Sequence, residues 1–139
     1  RHKLNPILTA ADWPYPVHTV FNPGATLLPD GTTLLLCRVE DRRGLSHLCA
    51  ARSANGVDGW QIDPQPTLRR DPGHFPEELW GIEDPRLTYV PELGRYAVVY
   101  TAFTRDEAME QLDLAGLQGL QVDSVSDRHL AIWGRLPRS

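Results

Sequence analysis

The sequence predicts an all-β chain made of repeated antiparallel units of the kind that form β-propeller blades. Three observations carry that expectation. The chain repeats itself internally, the stretch from Gly24 to Asp63 contains only strand and turn patterns, and the second copy opens with the same strand-turn-strand order as the first.

The repeat is centred on two dipeptides. Placing Asn22-Pro23 over Asp84-Pro85 also sets Thr26 on Thr88, Leu27 on Tyr89 and Pro29 on Pro91. One inserted residue then brings Gly31 onto Gly94 and Leu35-Leu36 onto Val98-Val99. In the first copy, Ala25 to Leu28 reads as a short strand and Pro29-Asp30-Gly31 as a turn. Thr32 to Glu40 is a long β-rich run, Asp41 to Gly44 a second turn, Ser46 to Ser53 a third strand and Trp60 to Ile62 a brief fourth. Four antiparallel strands in chain order describe one blade. Pro64, Pro66, Pro72 and Pro76 exclude regular structure from Asp63 to Trp80, which becomes a crossing loop. The second copy supplies Arg86 to Val90, the turn Pro91 to Gly94 and a long strand over Tyr96 to Phe103. From Asp106 the sequence is acidic and helix-like, and no further strands are legible. The expected division is residues 1–104 as blades and 105–139 as an irregular or partly helical tail.

With 139 residues, of which 41% are hydrophobic, the chain suffices for one ordinary domain. Fourteen basic residues against 18 acidic ones give a net charge of −4, and no Lys/Arg cluster is interleaved with aromatics, so no nucleic-acid partner is expected. No apolar run approaches the roughly 20 residues that span a bilayer. The N-terminal segment from Arg1 to Pro6 lacks an apolar signal stretch, so the expectation is no membrane partner and a cytoplasmic address. Cys37 and Cys49 flank the turn at Asp41 to Gly44 almost symmetrically. A hairpin there sets them opposite each other, as reduced core thiols or as a cross-strand disulfide.

The candidate site residues follow from the repeat. In a propeller the first strand of each blade is innermost, which places Asn22 and Asp84 at equivalent points on a central funnel. Asp84 reads either as an acid whose pKa burial keeps raised, able to donate a proton to a leaving oxygen, or as a cap on the turn before Pro85. Glu83, one residue away on an extended backbone, should point to the opposite side and serve as a salt-bridge partner. Arg38 offers a guanidinium fork for sugar hydroxyls or an anion, and Arg86 is expected to pair with Glu83 or Glu40. Phe75 and Trp80 either stack on sugar rings or plug the core. His2, His18, His47, His74 and His129 show no ligand-like spacing, so no metal is expected.

Taken together, Asn5-Pro6-Ile7-Leu8, Phe21-Asn22-Pro23-Gly24-Ala25, Leu36-Cys37-Arg38-Val39-Glu40 and Gly81-Ile82-Glu83-Asp84-Pro85-Arg86-Leu87-Thr88 followed by Tyr96 to Phe103 resemble the N-terminal part of the β-1,4-mannoside phosphorylases, glycoside hydrolase family 130. The similarity spans about Leu4 to Thr104. It implies a five-bladed propeller, of which this chain would supply about one and a half blades. It further implies cleavage of β-mannosides by inorganic phosphate to give α-mannose 1-phosphate, with water replacing phosphate in some relatives. The implied partners are an oligosaccharide and phosphate as co-substrate, with no other cofactor. By position Asp84 would be the general acid, working through a sugar hydroxyl, and Asn22 and Arg38 would hold the mannose. An inverting phosphorolysis needs one protein acid, because phosphate brings the attacking oxygen. The family's phosphate-holding side chains lie in later blades, so turnover by these residues alone is expected to be impaired. A non-catalytic carbohydrate-binding module is the alternative. An unclosed ring exposes strand edges, which predicts marginal stability or homo-oligomers.

Overall fold

The computed structural model describes residues 3 and 5–102 with their side chains and the backbone of residues 118–126 and 129–135. Strands β1 (Thr19–Leu27), β2 (Thr33–Glu40), β3 (Ser46–Ser53) and β4 (Gln61–Ile62) form one antiparallel sheet in chain order. A second sheet pairs β5 (Glu83–Val90) with β6 (Arg95–Thr101), and a third pairs β7 (Gln118–Ser126) with β8 (His129–Arg135). The described residues contain no α-helix, only single 3-10 turns at Ala10–Asp12, Pro76–Trp80 and Pro91–Leu93, and their sheets do not close into a ring. None of their helices is long and apolar enough to cross a membrane.

The all-β expectation and the four-stranded unit are both present, and β3 has the predicted limits. β1 and β5 begin earlier than expected, at Thr19 and Glu83 rather than Ala25 and Arg86. The reason is a one-residue bulge in each. Phe21 pairs with Arg38 and Gly24 with Leu36, so Asn22 and Pro23 together face one residue of β2. Glu83 pairs with Thr101 and Arg86 with Val99, which repeats the same offset. A proline has no N–H to give the ladder, and a bulge lets pairing resume beyond it.

Alternation along β2 and β3 sends side chains to two cores. Cys37, Val39 and Cys49 join Trp13 of the N-terminal segment on one face, with Leu8, Tyr15, Val17 and Ile62 against them. Leu36, Leu48 and Ala50 join Ile82 on the other, where Leu87 and Tyr100 of the second sheet pack. Leu48 and Ile82 are fully buried, and each stabilises the fold by about 2 kcal/mol. Cys37 and Cys49 are register partners, and both are free and buried. Burial pushes the Cys37 thiol up to about 12, so it is inert at neutral pH.

The crossing loop is pinned at both ends. Leu48 and Leu68 exchange two backbone hydrogen bonds of 3.0 Å. Further on, buried Glu78 accepts from the Tyr100 hydroxyl at 2.5 Å and from the Asp71 amide at 2.5 Å, which ties the loop to β6. Gly81 then permits entry to β5. Its φ is +124°, and a Cβ there would lie 2.8 Å from the Ser46 nitrogen, where the Ile82 amide instead donates to the Ser46 carbonyl at 3.2 Å.

The tail departs from expectation. Residues 118–126 and 129–135 form an antiparallel hairpin, not irregular or helical structure. Leu120, Val122, Leu130 and Ile132 recur at a spacing of two, the period of a strand, and the acidic run at Asp106 to Leu112 obscures it. That helix-like run lies outside the described residues.

The second sheet leaves apolar side chains in water. Val99 is 67% exposed, and Val98, Tyr89 and Leu93 are also exposed. An unprotected apolar edge pairs readily with another chain. Replacing Val99 with Lys should therefore shift the chain toward monomer in sedimentation velocity runs across a concentration series. An unchanged distribution would place self-association elsewhere.

Candidate active site

The two bulges set the site. Asn22 and Asp84 are the non-glycine residues with positive φ among the described residues, at +42° and +47°. The left-handed region is costly for most side chains and least so for Asn and Asp, and a following proline narrows the choice further. The same residue class therefore occupies the same strained position in both copies. Turned in this way, Asn22 Nδ2 donates to Asp84 Oδ1 at 3.0 Å. The repeat partners predicted from sequence meet across the junction of the two sheets.

Gly24 makes the approach possible. A Cβ on it would lie 2.5 Å from Leu87 Cδ1 and 2.6 Å from the Pro85 carbonyl oxygen, so only glycine lets β1 lie this close to β5.

Arg38 holds the arrangement from below. Its Nε donates to Ser46 Oγ at 3.0 Å and one terminal nitrogen donates to Asp84 Oδ1 at 3.2 Å. The other terminal nitrogen bridges Glu40 at 3.0 Å and Glu83 at 2.8 Å. The guanidinium carbon also lies 4.5 Å from the centre of the Phe21 ring. Of the five guanidinium hydrogens, these four bonds leave one for a ligand. Sequence reasoning assigned Arg38 to a sugar; its observed contacts make it first the residue that positions Asp84. Arg86 forms no ion pair with Glu83 or Glu40. Its guanidinium donates to the Pro85 carbonyl at 3.0 Å, and Arg38 takes both carboxylates instead.

Glu83 and Asp84 do not point to opposite sides. The left-handed turn at Asp84 breaks the alternation, and both carboxylates reach the same guanidinium. Their acidities are split. The hydrogen bond from the Asn22 amide, followed by Arg38, holds the Asp84 pKa below its ordinary value, so the raised pKa expected there is not found. The raised one belongs to Glu83. Burial lifts it, and the neighbouring Asp84 and Glu40 charges add to the lift against Arg38. The repeat singled out Asp84 and made Glu83 a salt-bridge partner, which it is, but it did not show which of the two burial would act on.

Beside the pair lies an open groove of about 440 Å³, lined by Asn22, Gly24, Arg86 and Thr88 among others. Phe75 is half exposed in the crossing loop and Trp80 is half-buried. Among the described residues no His, Cys, Asp and Glu cluster could hold a metal ion.

No family model matches the sequence, and no curated protein matches it. Solved structures do match. A glycosyl hydrolase from Bacteroides ovatus is 28% identical with a TM-score of 0.62, over 76% of this chain and 34% of that one. A second match has 28% identity, a TM-score of 0.63 and the same coverage. It comes from work on the GH130 family of mannoside phosphorylases, a family containing glycoside hydrolases that target β-1,2 mannosidic linkages in Candida mannan. A candidate glycoside hydrolase from Parabacteroides distasonis shares the fold, at 23% identity and a TM-score of 0.60, over 96% of this chain and 40% of that one. The chain thus spans about a third of the length of the first two. The structural neighbours are glycoside hydrolases, and they include the GH130 family of mannoside phosphorylases.

Two substitutions probe the geometry. Asn22→Ala removes the leading cause of the Asp84 shift, so the Asp84 titration followed by carboxyl carbon NMR should move up toward 3.8. The sign for stability follows: Asp84 stabilises the fold above its ordinary value, and that contribution fades as pH falls through the depressed one. Asn22→Ala should flatten the acid limb of the stability curve. Gly24→Ala should cost about 2 kcal/mol in urea denaturation, since the strands must separate to admit the methyl. No loss would mean that the two sheets are not in close contact.

Proposed function

We propose that this chain contributes the opening blades of a β-propeller glycosidase that cleaves β-mannosides, with inorganic phosphate as the attacking group and α-mannose 1-phosphate as the product. In this reading the sheet β1 to β4 is one blade and β5–β6 starts the next. The observation that carries it is the Asn22–Asp84 contact on matched bulges, braced by Arg38 and opening on a groove. The similarity to mannoside-acting glycoside hydrolases gives that contact its chemical class.

The roles follow from the geometry. Asp84 is the acid, and its Oδ2, to which no described residue donates, carries the proton. Asn22 and the remaining Arg38 hydrogen hold sugar hydroxyls beside it. Free Asp84 is ionised, because its partners favour the charged form. A bound sugar would exclude water from a carboxyl that is now 37% exposed, and this raises its pKa toward the working range. A phosphate oxygen then bonds to the anomeric carbon from the opposite face as the glycosidic C–O bond breaks. The proton from Asp84 passes through a sugar hydroxyl to the leaving oxygen. Hydrolysis is the second reading, favoured by the β-1,2 mannosidic hydrolases within the neighbour's family.

Incubating the chain with β-linked mannobiose and phosphate should release mannose 1-phosphate. Asp84→Asn should lower the rate by about 10²-fold or more, the usual scale for loss of a general acid. Free mannose formed at the same rate without phosphate would establish hydrolysis instead. Sugar binding without either product, surviving Asp84→Asn, would make this a binding module.

A further inference from the structure

A second cleft, of about 500 Å³, lies where the N-terminal segment, the β2–β3 turn and the crossing loop converge. Among its lining residues are Tyr15, Arg43, His47, Gln65, Arg69 and Arg70. It is separate from the Asp84 groove. His47 pairs with Val39 and Arg38 with Leu48, so His47 and Arg38 project from opposite faces of the first sheet.

The charges in this cleft do not balance. Three arginines line it against one carboxylate, Asp41. That carboxylate is already satisfied, by the Arg43 guanidinium at 2.6 Å and by the Arg43 and Leu45 amides at 2.8 and 3.2 Å. Arg69 and Arg70 have no carboxylate within ion-pair distance among the described residues. Arg69 reaches the neutral Gln65 side chain at 3.4 Å, and Arg70 reaches the Leu79 carbonyl at 3.2 Å. Asp71, next along the chain, is turned to His74 at 2.7 Å. Two arginines without a carboxylate partner among the described residues thus line one hollow in a protein whose net charge is −4.

The walls are held in place. Pro16, Pro64, Pro66 and Pro72 line the cleft, and the Leu48–Leu68 backbone bonds clamp the loop that carries Arg69 and Arg70 to β3. On the inner side the Tyr15 hydroxyl and His47 Nε2 are 2.9 Å apart, and burial lowers the His47 pKa. They add hydrogen-bonding capacity and a flat ring without adding charge. Planar guanidinium forks match the oxygens of a phosphate group.

From this geometry we infer that the cleft lined by Arg69, Arg70, Tyr15 and His47 is a binding site for a small phosphate-bearing anion, distinct from the groove at Asp84. The inference stands whether or not the Asp84 site turns over mannosides. It concerns binding alone, since the first sheet separates the cleft from that site.

Calorimetric titration of the chain at low ionic strength with sodium phosphate, and separately with mannose 1-phosphate, tests it. Both anions should bind, and the Arg69→Gln/Arg70→Gln double variant should weaken binding at least tenfold while Arg95→Gln, which removes one positive charge at the start of β6, leaves it unchanged. Tighter binding of mannose 1-phosphate that is lost with Arg69 and Arg70 would place the sugar ring in the cleft, and equal or weaker binding would make inorganic phosphate the ligand; either supports the site. Arg69→Lys keeps the charge and loses the fork, so it should weaken binding partially and serves where the double variant does not fold. Backbone amide shifts at His47 and Gln65 should accompany binding. No heat with either anion at millimolar concentration, or binding indifferent to Arg69 and Arg70, overturns the inference.

Discussion

The guanidinium of Arg38 joins the two sheets at the point where the candidate site forms. It projects from β2 and reaches Glu83 and Asp84 on β5, and Glu40 on its own strand. Without it, three carboxylates would share one partly buried corner. Arginine fits this position better than lysine would. A fork with fixed directions can serve Ser46, Asp84, Glu40 and Glu83 at once, whereas an ammonium has three hydrogens and no plane to lay on Phe21. The side chain is only 14% exposed, which keeps these bonds from being screened by water and salt.

That charge network depends in turn on backbone geometry. A left-handed residue before a proline is strained by something like 1–3 kcal/mol, and the chain contains this twice. The strain re-aims Asp84 toward the guanidinium already holding Glu83 and turns Asn22 toward Asp84. Gly24 then allows the bulged strands to touch. The duplication therefore does more than repeat a strand pair: it supplies an amide and a carboxylate in matched conformations, so that the donor of one copy meets the acceptor of the other.

Much of this was legible in the sequence because it rests on periodicity and on proline. The offset between Asn22-Pro23 and Asp84-Pro85 put the two dipeptides at equivalent positions, though not the bulges found there, and alternation gave β2 and β3 with the cysteines opposed. What escaped is tertiary. Alternation placed Glu83 away from Asp84, because an extended backbone was assumed where a left-handed residue stands. That Arg38 also holds three carboxylates was not legible, because a sequence does not show how many of them a fold will bring to one guanidinium. The hairpin at 118–135 was missed for a different reason. Its period of two is interrupted by Gly119, Asp123 and Ser124 and follows a strongly helix-forming run, so local propensity outweighed a weak pattern. The basic cleft draws Tyr15, Arg43, His47 and Arg69 from separated segments, and no window of sequence contains it.

The split between the two adjacent carboxyls bears most directly on chemistry. A group that must deliver a proton near neutral pH is usually kept neutral by burial, and here burial acts on Glu83. Asp84 faces water and two donors, so in the free protein it rests as an anion. This suits a site assembled by its substrate. A sugar that took the Asn22 amide for its own hydroxyl would remove the largest influence holding Asp84 ionised, and by covering the groove it would remove the water as well. Both changes favour the protonated acid, and both reverse on release. On the proposed reading, acid strength at this site belongs to the bound state, and in the empty one the Asn22 amide and Arg38 hold Asp84 ionised.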